Sequence, residues 1–457
     1  MNSIGRTINS ALQLSKNGGG VGLNLTNLRA AGAPIKGYDG VAAGVVPVMK
    51  LFEDAFSYAN QLGQRQGAGV VYLSLFHPDI MEFLSTKKEN ADEKIRVKTL
   101  SLGVTVPDKF YELVKKGETM YLFEPYFVEK YYGKPFAEVD ITAEYDKMVA
   151  NPEIRKTPIN ARELEQELSK LQQESGYPYI VNVDTVNQAN PVDGVISMSN
   201  LCSEILQVQT PSVLNDDQTY KVVGTDVACN LGSTNVLNMM TSSDEFGTSV
   251  ESMVRALTFI SETSNLDTVP TVRKGNDEMH AIGLGAMGLH SFLAQNQIHY
   301  DSKEAVEFTS VYFMLLNYYT LVASNKLAVE KGASFKNFEK SAYADGSYFD
   351  KYLTHDYFAA VSPKVQELFK GIAVPTIADW TELRDTVKTS GLYNSYRMAV
   401  APNGSISYIN DCSSSIHPIV NRIEERQEKK VGKIYYPAAG LATETIPYYK
   451  SAYDTDM

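Results

Sequence analysis

In the first half of the chain, stretches with the apolar spacing of a helix alternate with short apolar runs typical of strands. Helical spacing begins at Ile4, returns from about Pro47, and predicts a further helix over Asp108–Lys116. Short apolar runs typical of strands lie between them, at Val70–Leu75 and Thr99–Val106. Strands that alternate with helices in this way predict an α/β fold with parallel strands.

The same alternation continues through the middle of the chain. Asn160-Ala161-Arg162-Glu163 has the pattern of a capping box and predicts the start of a helix, and Tyr179–Val183 follows as a strand. Further on, Asp301 and Glu304 are predicted to cap a long helix that runs to about Lys331. This helix is apolar nearly all round, so we expect it to be buried.

One stretch after the Tyr179–Val183 strand places an amide, a thiol and a carboxylate at alternate positions. These are Asn200, Cys202 and Glu204, within Ser199–Ile205. In an extended segment, residues two apart share one face, whereas on a helix they point apart. We therefore predict an extended loop tip that aims all three side chains at one place. Taken singly, each has an ordinary interpretation, since most lone cysteines are small buried hydrophobes.

A second polar stretch follows an apolar strand candidate, Met398–Ala401. It consists of Pro402, Asn403, Gly404, Ser405 and Ile406, leading into Ser407. A strand, a Gly/Ser turn and a possible helix start can form an anion pocket from free amides and a hydroxyl. On its own this stretch is as well explained by an ordinary Asn-Gly turn.

Composition narrows the function classes. The chain has 457 residues, a net charge of −12 and three cysteines. The negative charge argues against nucleic-acid binding, and the few cysteines indicate a reducing compartment. Neither a signal-peptide core nor a membrane-spanning apolar run is present, so the cytoplasm is expected. The six histidines show no metal-ligand spacing, which predicts no metal site in this chain.

The triplet within Asn200-Leu201-Cys202-Ser203-Glu204 resembles the finger loop of ribonucleotide reductase large subunits, most closely class Ib. The resemblance runs from Gly18-Gly19-Gly20 to Lys433–Pro437. It implies a ten-stranded α/β barrel, built from two five-stranded halves, with the finger loop at its centre. Residues 1–457 would form one barrel domain, and we expect this domain to be incomplete at both ends.

The resemblance also assigns chemical roles. Cys202 would carry a thiyl radical that abstracts the 3′ hydrogen of a ribonucleotide, Glu204 would act as general base, and Asn200 would hydrogen-bond the sugar hydroxyls. Cys229 matches one thiol of the reducing dithiol. In the family the other thiol precedes the region matched by Asn2–Ile4, so the chain is expected to be a central piece of a large subunit. Cys412 is predicted to be a bystander.

Binding residues follow from the same resemblance. Backbone at Gly20, the finger-loop residues Asn200, Leu201, Cys202, Ser203 and Glu204, and the turn Pro402, Asn403, Gly404, Ser405 and Ile406 would bind the substrate and its phosphates. The family pattern has Thr where this chain has Asn403. Arg29, Arg65 and Gln66 match elements that bind a deoxynucleotide effector. A salt-bridged surface arginine and a flexible turn explain these last residues equally well.

The implied partners are a small radical-generating subunit that carries the metal, a thioredoxin- or glutaredoxin-like reductant, ribonucleoside diphosphates, dNTP or ATP effectors and a second copy of the chain. A catalytically silent nucleotide-binding piece is the alternative from another class. The cobalamin-dependent reductases use a finger loop of the same kind, but the segment Arg422–Lys430 fits class Ib better.

Overall fold

The computed structural model describes residues 1–60, 66–241, 245–264, 266–354, 359–428 and 432–455. The chain divides into two compact units. The first comprises Met1–Asn190, Gly194–Asp226 and Leu266–Lys274, and the second comprises Pro191–Asp193, Val227–Asn265 and Gly275–Met457. We describe each unit by itself.

The first unit is built on a four-stranded parallel sheet. In chain order its strands and helices are α1 Asn2–Lys16, β1 Val21–Asn24, α2 Val46–Tyr58, β2 Gly69–Ser74, α3 Ile80–Ser85, β3 Ser101–Val106, α4 Asp108–Lys116, β4 Thr119–Phe123, α5 Pro125–Tyr132, α6 Ile141–Ala150, β5 Lys156–Asn160, α7 Ala161–Ser175, β6 Tyr179–Asn182, α8 Val183–Ala189, β7 Val213–Leu214 and β8 Tyr220–Val222. The parallel sheet has the order β1-β2-β3-β6, while β4 pairs with β5 and β7 with β8 in antiparallel fashion.

Both faces of this sheet are covered, which explains why its strands read as continuous apolar runs. Alternate residues of β2 point to opposite faces. Val71 and Leu73 join the large core that includes the helices, whereas Val70 and Tyr72 pack on the other face with Val181 and Met198. The predicted helix over Asp108–Lys116 is confirmed, and Gly117 ends it with a left-handed φ of 71°.

The second unit has a parallel strand pair and a largely helical core. In chain order its elements are β9 Leu231–Asn235, α9 Val236–Thr241, α10 Phe246–Thr263, α11 Pro270–Met279, β10 Gly283–Met287, α12 Leu289–Gln295, α13 Lys303–Lys331, α14 Ala342–Asp345, α15 Asp350–Leu353, α16 Pro363–Leu368, α17 Ile377–Ser390, α18 Ile406–Ile409, β11 Ile423–Glu428 and β12 Gly432–Pro437. Helix α11 begins in the first unit and ends in the second. Strand β9 pairs with β10 in parallel, and β11 with β12 antiparallel.

The long buried helix is confirmed as α13, but its predicted cap is wrong. The side chain of Ser302 accepts the hydrogen bond from the amide of Ala305. Asp301 instead forms an ion pair of 2.7 Å with Lys450. Either residue type can cap a helix, so residue type alone did not distinguish the two neighbours.

The strand predicted at Met398–Ala401 is also wrong in extent. Only Met398 forms a parallel bridge, to Leu284 of β10. Residues 399–401 form no further bridge, and beyond Pro402, which has no N–H, Asn403 adopts a left-handed φ of 52°. The segment therefore runs beside β10 without forming a full strand.

The α/β class is confirmed, but ten barrel strands are not. Among the described residues the strand pairings give one four-stranded sheet and four two-stranded sheets. No helix in the described part of the chain is both long and apolar enough to cross a bilayer.

Candidate active site

The Asn200–Glu204 motif forms a tight turn in the first unit. The amide of Ser203 donates to the carbonyl of Asn200 over 3.2 Å. Ser203 itself adopts a left-handed φ of 64°. The prediction of an extended segment is therefore wrong: Leu201 and Cys202 are the central residues of a turn.

Tyr72 of β2 supports this turn from the sheet. Its hydroxyl donates to the carbonyl of Asn200 over 2.8 Å and lies 2.8 Å from the hydroxyl of Ser203. The ring is fully buried, and burial raises the pKa of its phenol. In the sheet register Tyr72 is paired with Gly103, where a Cβ would lie 2.3 Å from the ring. The missing side chain at Gly103 thus leaves room for the tyrosine.

The glycine cluster at the start of β1 packs against the same turn. A Cβ at Gly20 would lie 2.4 Å from Cδ2 of Leu201, and one at Gly22 would lie 2.8 Å from the carbonyl oxygen of Ser199. Real Cβ atoms do not approach other atoms so closely. Gly22 is therefore needed for close packing against the backbone behind the motif, whereas at Gly20 the neighbouring atom is the end of a side chain that can move.

The side chains of Asn200, Cys202 and Glu204 differ in hydrogen bonding and exposure. Oδ1 of Asn200 accepts from the amide of Ile205 over 3.0 Å, while its Nδ2 has no partner among the described residues. Oε2 of Glu204 is buried and also lacks a hydrogen-bond partner. Cys202 is exposed. An open amide donor, an unsatisfied carboxylate oxygen and an accessible thiol are the groups that a polar ligand would engage.

Removing the Tyr72 hydroxyl tests how the turn is held. We expect Tyr72→Phe to increase hydrogen–deuterium exchange in the peptide spanning residues 197–207, because two hydrogen bonds to the turn are lost, each worth about 1 kcal/mol. Tyr111→Phe is the matched control, since its hydroxyl donates over 2.8 Å to Asn182 on an exposed surface. Equal exchange of this peptide in the two variants would contradict the supporting role of Tyr72.

Cys229 lies in the second unit, directly before β9. It is exposed. The next residue, Asn230, donates to the carbonyl of Ala281 over 3.2 Å and accepts from the amide of Gly283 over 2.9 Å. The start of β9 is thereby fixed to the start of β10, which holds the thiol-bearing segment in place.

The turn at Pro402–Ile406 is confirmed as a turn that leads into a helix. Helix α18 starts at Ile406 and has only four residues. Gly404, Ser405 and Ile406 are exposed, and their amides have no partner among the described residues. These groups remain open to an anion.

Asn403 does not present its side chain in the same way. Its Oδ1 accepts from the hydroxyl of Ser233 over 3.0 Å, and its Nδ2 donates to the carbonyls of Ala401 and Ala286 over 3.0 and 3.4 Å. The side chain is buried and stabilises the turn. In this conformation the Asn403 side chain therefore has no free donor for the expected contact with phosphate.

Cys412 packs beside the end of β10. A Cβ at Gly288 would lie 3.0 Å from Cβ of Cys412 and 3.3 Å from its sulfur. Burial, together with the charge of Asp411, raises the pKa of the Cys412 thiol to about 11. A thiol that stays protonated is a poor nucleophile, so slow alkylation is expected near neutral pH.

Alkylation can test this raised pKa. At pH 8 we expect iodoacetamide to label Cys412 about a hundredfold more slowly than a model thiol, because its thiolate fraction is small. Because the folded-state pKa is raised to about 11, the rate should rise about tenfold per pH unit until the pH approaches that value. Peptide mass spectrometry would measure the labelling, with the urea-unfolded chain as control. Rapid labelling of native Cys412 at pH 8 would contradict a raised pKa of this thiol.

The predicted effector residues are only partly described. The guanidinium of Arg29 lies 4.3 Å from the ring centre of Tyr126, which is a cation–π contact and not the salt bridge of the alternative interpretation. Gln66 is exposed, and Arg65 lies outside the described residues. Within the described ranges, no group of three or more His, Cys, Asp or Glu side chains is arranged to hold a metal ion.

The comparison with known families decides the membership of the chain. The sequence profile of the ribonucleotide reductase barrel domain matches residues 1–457. This chain belongs to the ribonucleotide reductase family. The ribonucleoside-diphosphate reductase subunit alpha of Mycoplasma pneumoniae is 51% identical over 454 residues, covering 98% of this chain and 63% of that protein. The subunit alpha of Bacillus subtilis is 47% identical over 463 residues, covering 100% of this chain and 65% of that protein.

This chain spans just under two thirds of the length of these relatives. Sequence reasoning recognised the Asn200–Glu204 motif but missed the residues that position it, chiefly Tyr72, Gly22 and Gly103. The available signal was weak. The two glycines inside apolar strands are uncommon choices, because glycine weakens a strand unless another group approaches closely.

Proposed function

We propose that the chain forms the catalytic part of a ribonucleoside-diphosphate reductase, which converts ribonucleotides to 2′-deoxyribonucleotides. The observation that carries this proposal is the supported turn at Asn200–Glu204, with an accessible thiol, an open amide donor and an unsatisfied buried carboxylate oxygen. Family membership and the names of the alpha-subunit relatives support the substrate class.

In the proposed reaction, a thiyl radical at Cys202 takes the 3′ hydrogen atom of the ribose and becomes a thiol. Glu204 takes the proton of the 3′ hydroxyl, and the 2′ hydroxyl leaves as water with a proton from a dithiol. The dithiol also supplies two electrons and the second proton, which place a hydrogen on the 2′ carbon, and it becomes a disulfide. The Cys202 thiol then returns a hydrogen atom to the 3′ carbon, Glu204 returns its proton to the 3′ oxygen, and the thiyl radical is regenerated.

Other residues have supporting parts in this proposal. Asn200 Nδ2 donates to the sugar hydroxyls, and Cys229 supplies one thiol of the dithiol. The exposed amides of Gly404, Ser405 and Ile406 bind the substrate phosphates, whereas Asn403 acts through the shape of the turn. Arg29, Arg65 and Gln66 contact a deoxynucleotide effector.

The wider assembly is part of the same proposal. Residues 1–457 belong to a ten-stranded barrel domain of two five-stranded halves. A metal-containing small subunit supplies the radical, and a thioredoxin- or glutaredoxin-like protein reduces the disulfide. We further propose a cytoplasmic homodimer that responds to dNTP and ATP effectors.

The decisive experiment uses two proteins. One is the chain as it stands, and the other is a chimera in which residues 1–457 replace the matched segment of the Bacillus subtilis subunit alpha. Each is assayed with a radical-generating small subunit, a dithiol and a labelled ribonucleoside diphosphate. Deoxynucleotide formation by the chimera supports the proposal. A folded chimera that binds nucleotides without turnover would favour the silent nucleotide-binding alternative.

A further inference from the structure

A cavity of about 570 Å³ lies in the first unit, and Ser197, three residues before Asn200, is one of its lining residues. It opens at the carboxyl ends of β2 and β3, whose residues Ser74 and Thr105 are paired in the sheet register and both line the cavity. The carboxyl edge of a parallel sheet is where open α/β folds bind ligands. The volume is in the range that holds a small organic molecule.

A threonine hydroxyl at the floor of the cavity has no hydrogen-bond partner among the described residues. Thr105 is only 6% exposed and lines the cavity, yet its hydroxyl has no hydrogen-bond partner among the described residues. The neighbouring Ser74 is 3% exposed, and its hydroxyl accepts from the amide of Phe76 over 3.2 Å. Buried polar groups are rarely left without a partner, and a ligand in the cavity can form a hydrogen bond with this hydroxyl.

The rim is acidic on every side. Asp108, Glu138, Asp140 and Asp184 line the cavity, and no lysine or arginine does. None of these four carboxylates forms an ion pair with a described residue. The nearby Lys109 is directed to Glu112 and Asp146, at 3.4 and 3.7 Å. A cleft lined by one sign of charge concentrates counter-ions.

Helix ends reduce this field without cancelling it. Helices α4, α6 and α8 all begin at the cavity, and each N-terminus contributes at most about half a positive charge. Three such ends supply about 1.5 positive charges against four carboxylates, so the cavity stays negative. Asp140 caps the amide of Ala143, and Asp184 accepts from the amide of Asp108, but neither bond removes the charge of the carboxylate.

We propose that this cavity binds an aliphatic diamine or polyamine. Its ammonium groups pair with the rim carboxylates, and one N–H donates to the hydroxyl of Thr105. A bare divalent cation fits less well, because no three acidic side chains of the described residues are grouped to ligate a metal and the cavity is far larger than one ion. This inference does not depend on the reductase activity.

Calorimetric titration of the full chain with spermidine and putrescine tests the proposal, with Mg²⁺ as comparator. We expect saturable binding at one site, weakened about tenfold by the double variant Asp108→Asn/Glu138→Gln. Thr105→Val should weaken it about fivefold, because one hydrogen bond is lost. The matched control, Asp54→Asn/Glu129→Gln, makes the same change in net charge on exposed residues that do not line the cavity.

The outcomes separate the alternatives. Retained affinity in the control variant, with loss in the rim and floor variants, supports the site. Equal weakening in the rim and control variants would show non-specific attraction to an acidic surface and overturn it. Displacement of spermidine by equimolar Mg²⁺, or no amine binding at all, would also overturn it. Far-UV circular dichroism would confirm that each variant is folded.

Discussion

Replacing Cys202 by serine is expected to abolish deoxynucleotide formation by the active chimera. A serine O–H bond is much stronger than a thiol S–H bond, so an oxygen radical cannot be formed and recycled at this position. The expected loss is at least about a thousandfold, equivalent to about 4 kcal/mol of activation barrier. The measurement is product formation under saturating ribonucleoside diphosphate, alongside nucleotide binding to verify that the site is intact.

Cys412→Ser is the matched control for this experiment. The same sulfur-to-oxygen change occurs at a half-buried thiol whose pKa burial raises to about 11. Turnover should remain within about twofold of the parent protein, because a modest local change away from the reacting atoms shifts the barrier by only a few tenths of a kcal/mol. Abolished turnover with intact nucleotide binding would show instead that Cys412 is a catalytic thiol.

The largest expected effect on stability is at Gly285 of β10. A Cβ there would lie 2.2 Å from the carbonyl oxygen of Ala399 and 3.0 Å from Cα of Val400. Both atoms belong to the backbone, so the clash cannot be relieved by a rotamer change. We expect Gly285→Ala to destabilise the second unit by about 3 kcal/mol, at the upper end for overpacking.

Gly404→Ala provides the matched control, since nothing lies within 4 Å of a Cβ at Gly404. Its stability should stay within about 0.5 kcal/mol of the parent chain. Urea unfolding followed by tryptophan fluorescence suits this test, because the chain has one tryptophan and Trp380 is buried in the second unit. Coincident midpoints for the two variants would contradict the close approach of β10 and the Ala399–Val400 segment.

The sequence predicted those features that depend on local rules. Helix α4 has apolar residues at helical spacing and a glycine at its end, and the structure confirms its predicted bounds. The apolar run at Val70–Leu75 indicated a strand because parallel strands are buried on both faces. The α/β class followed from the alternation of such segments.

Prediction was weaker where the deciding group is distant in sequence. The motif at Asn200–Glu204 was expected to be extended, but the turn depends on Tyr72, 128 residues before Asn200. The cap of α13 was misassigned between neighbouring polar residues: Ser302 caps the helix and Asp301 pairs with the distant Lys450. The Met398–Ala401 segment has the composition of a strand, yet only Met398 forms a bridge to β10.

By itself, the sequence determined which chemical groups this reductase-family chain possesses and the local elements that carry them, since both follow from residue type and spacing. Only the tertiary structure decided which backbone oxygens Tyr72 reaches, which glycines leave room for neighbouring groups, and which polar atoms of Asn200 and Glu204 remain unpaired. These features depend on contacts between segments far apart in the chain, and no local pattern encodes such contacts.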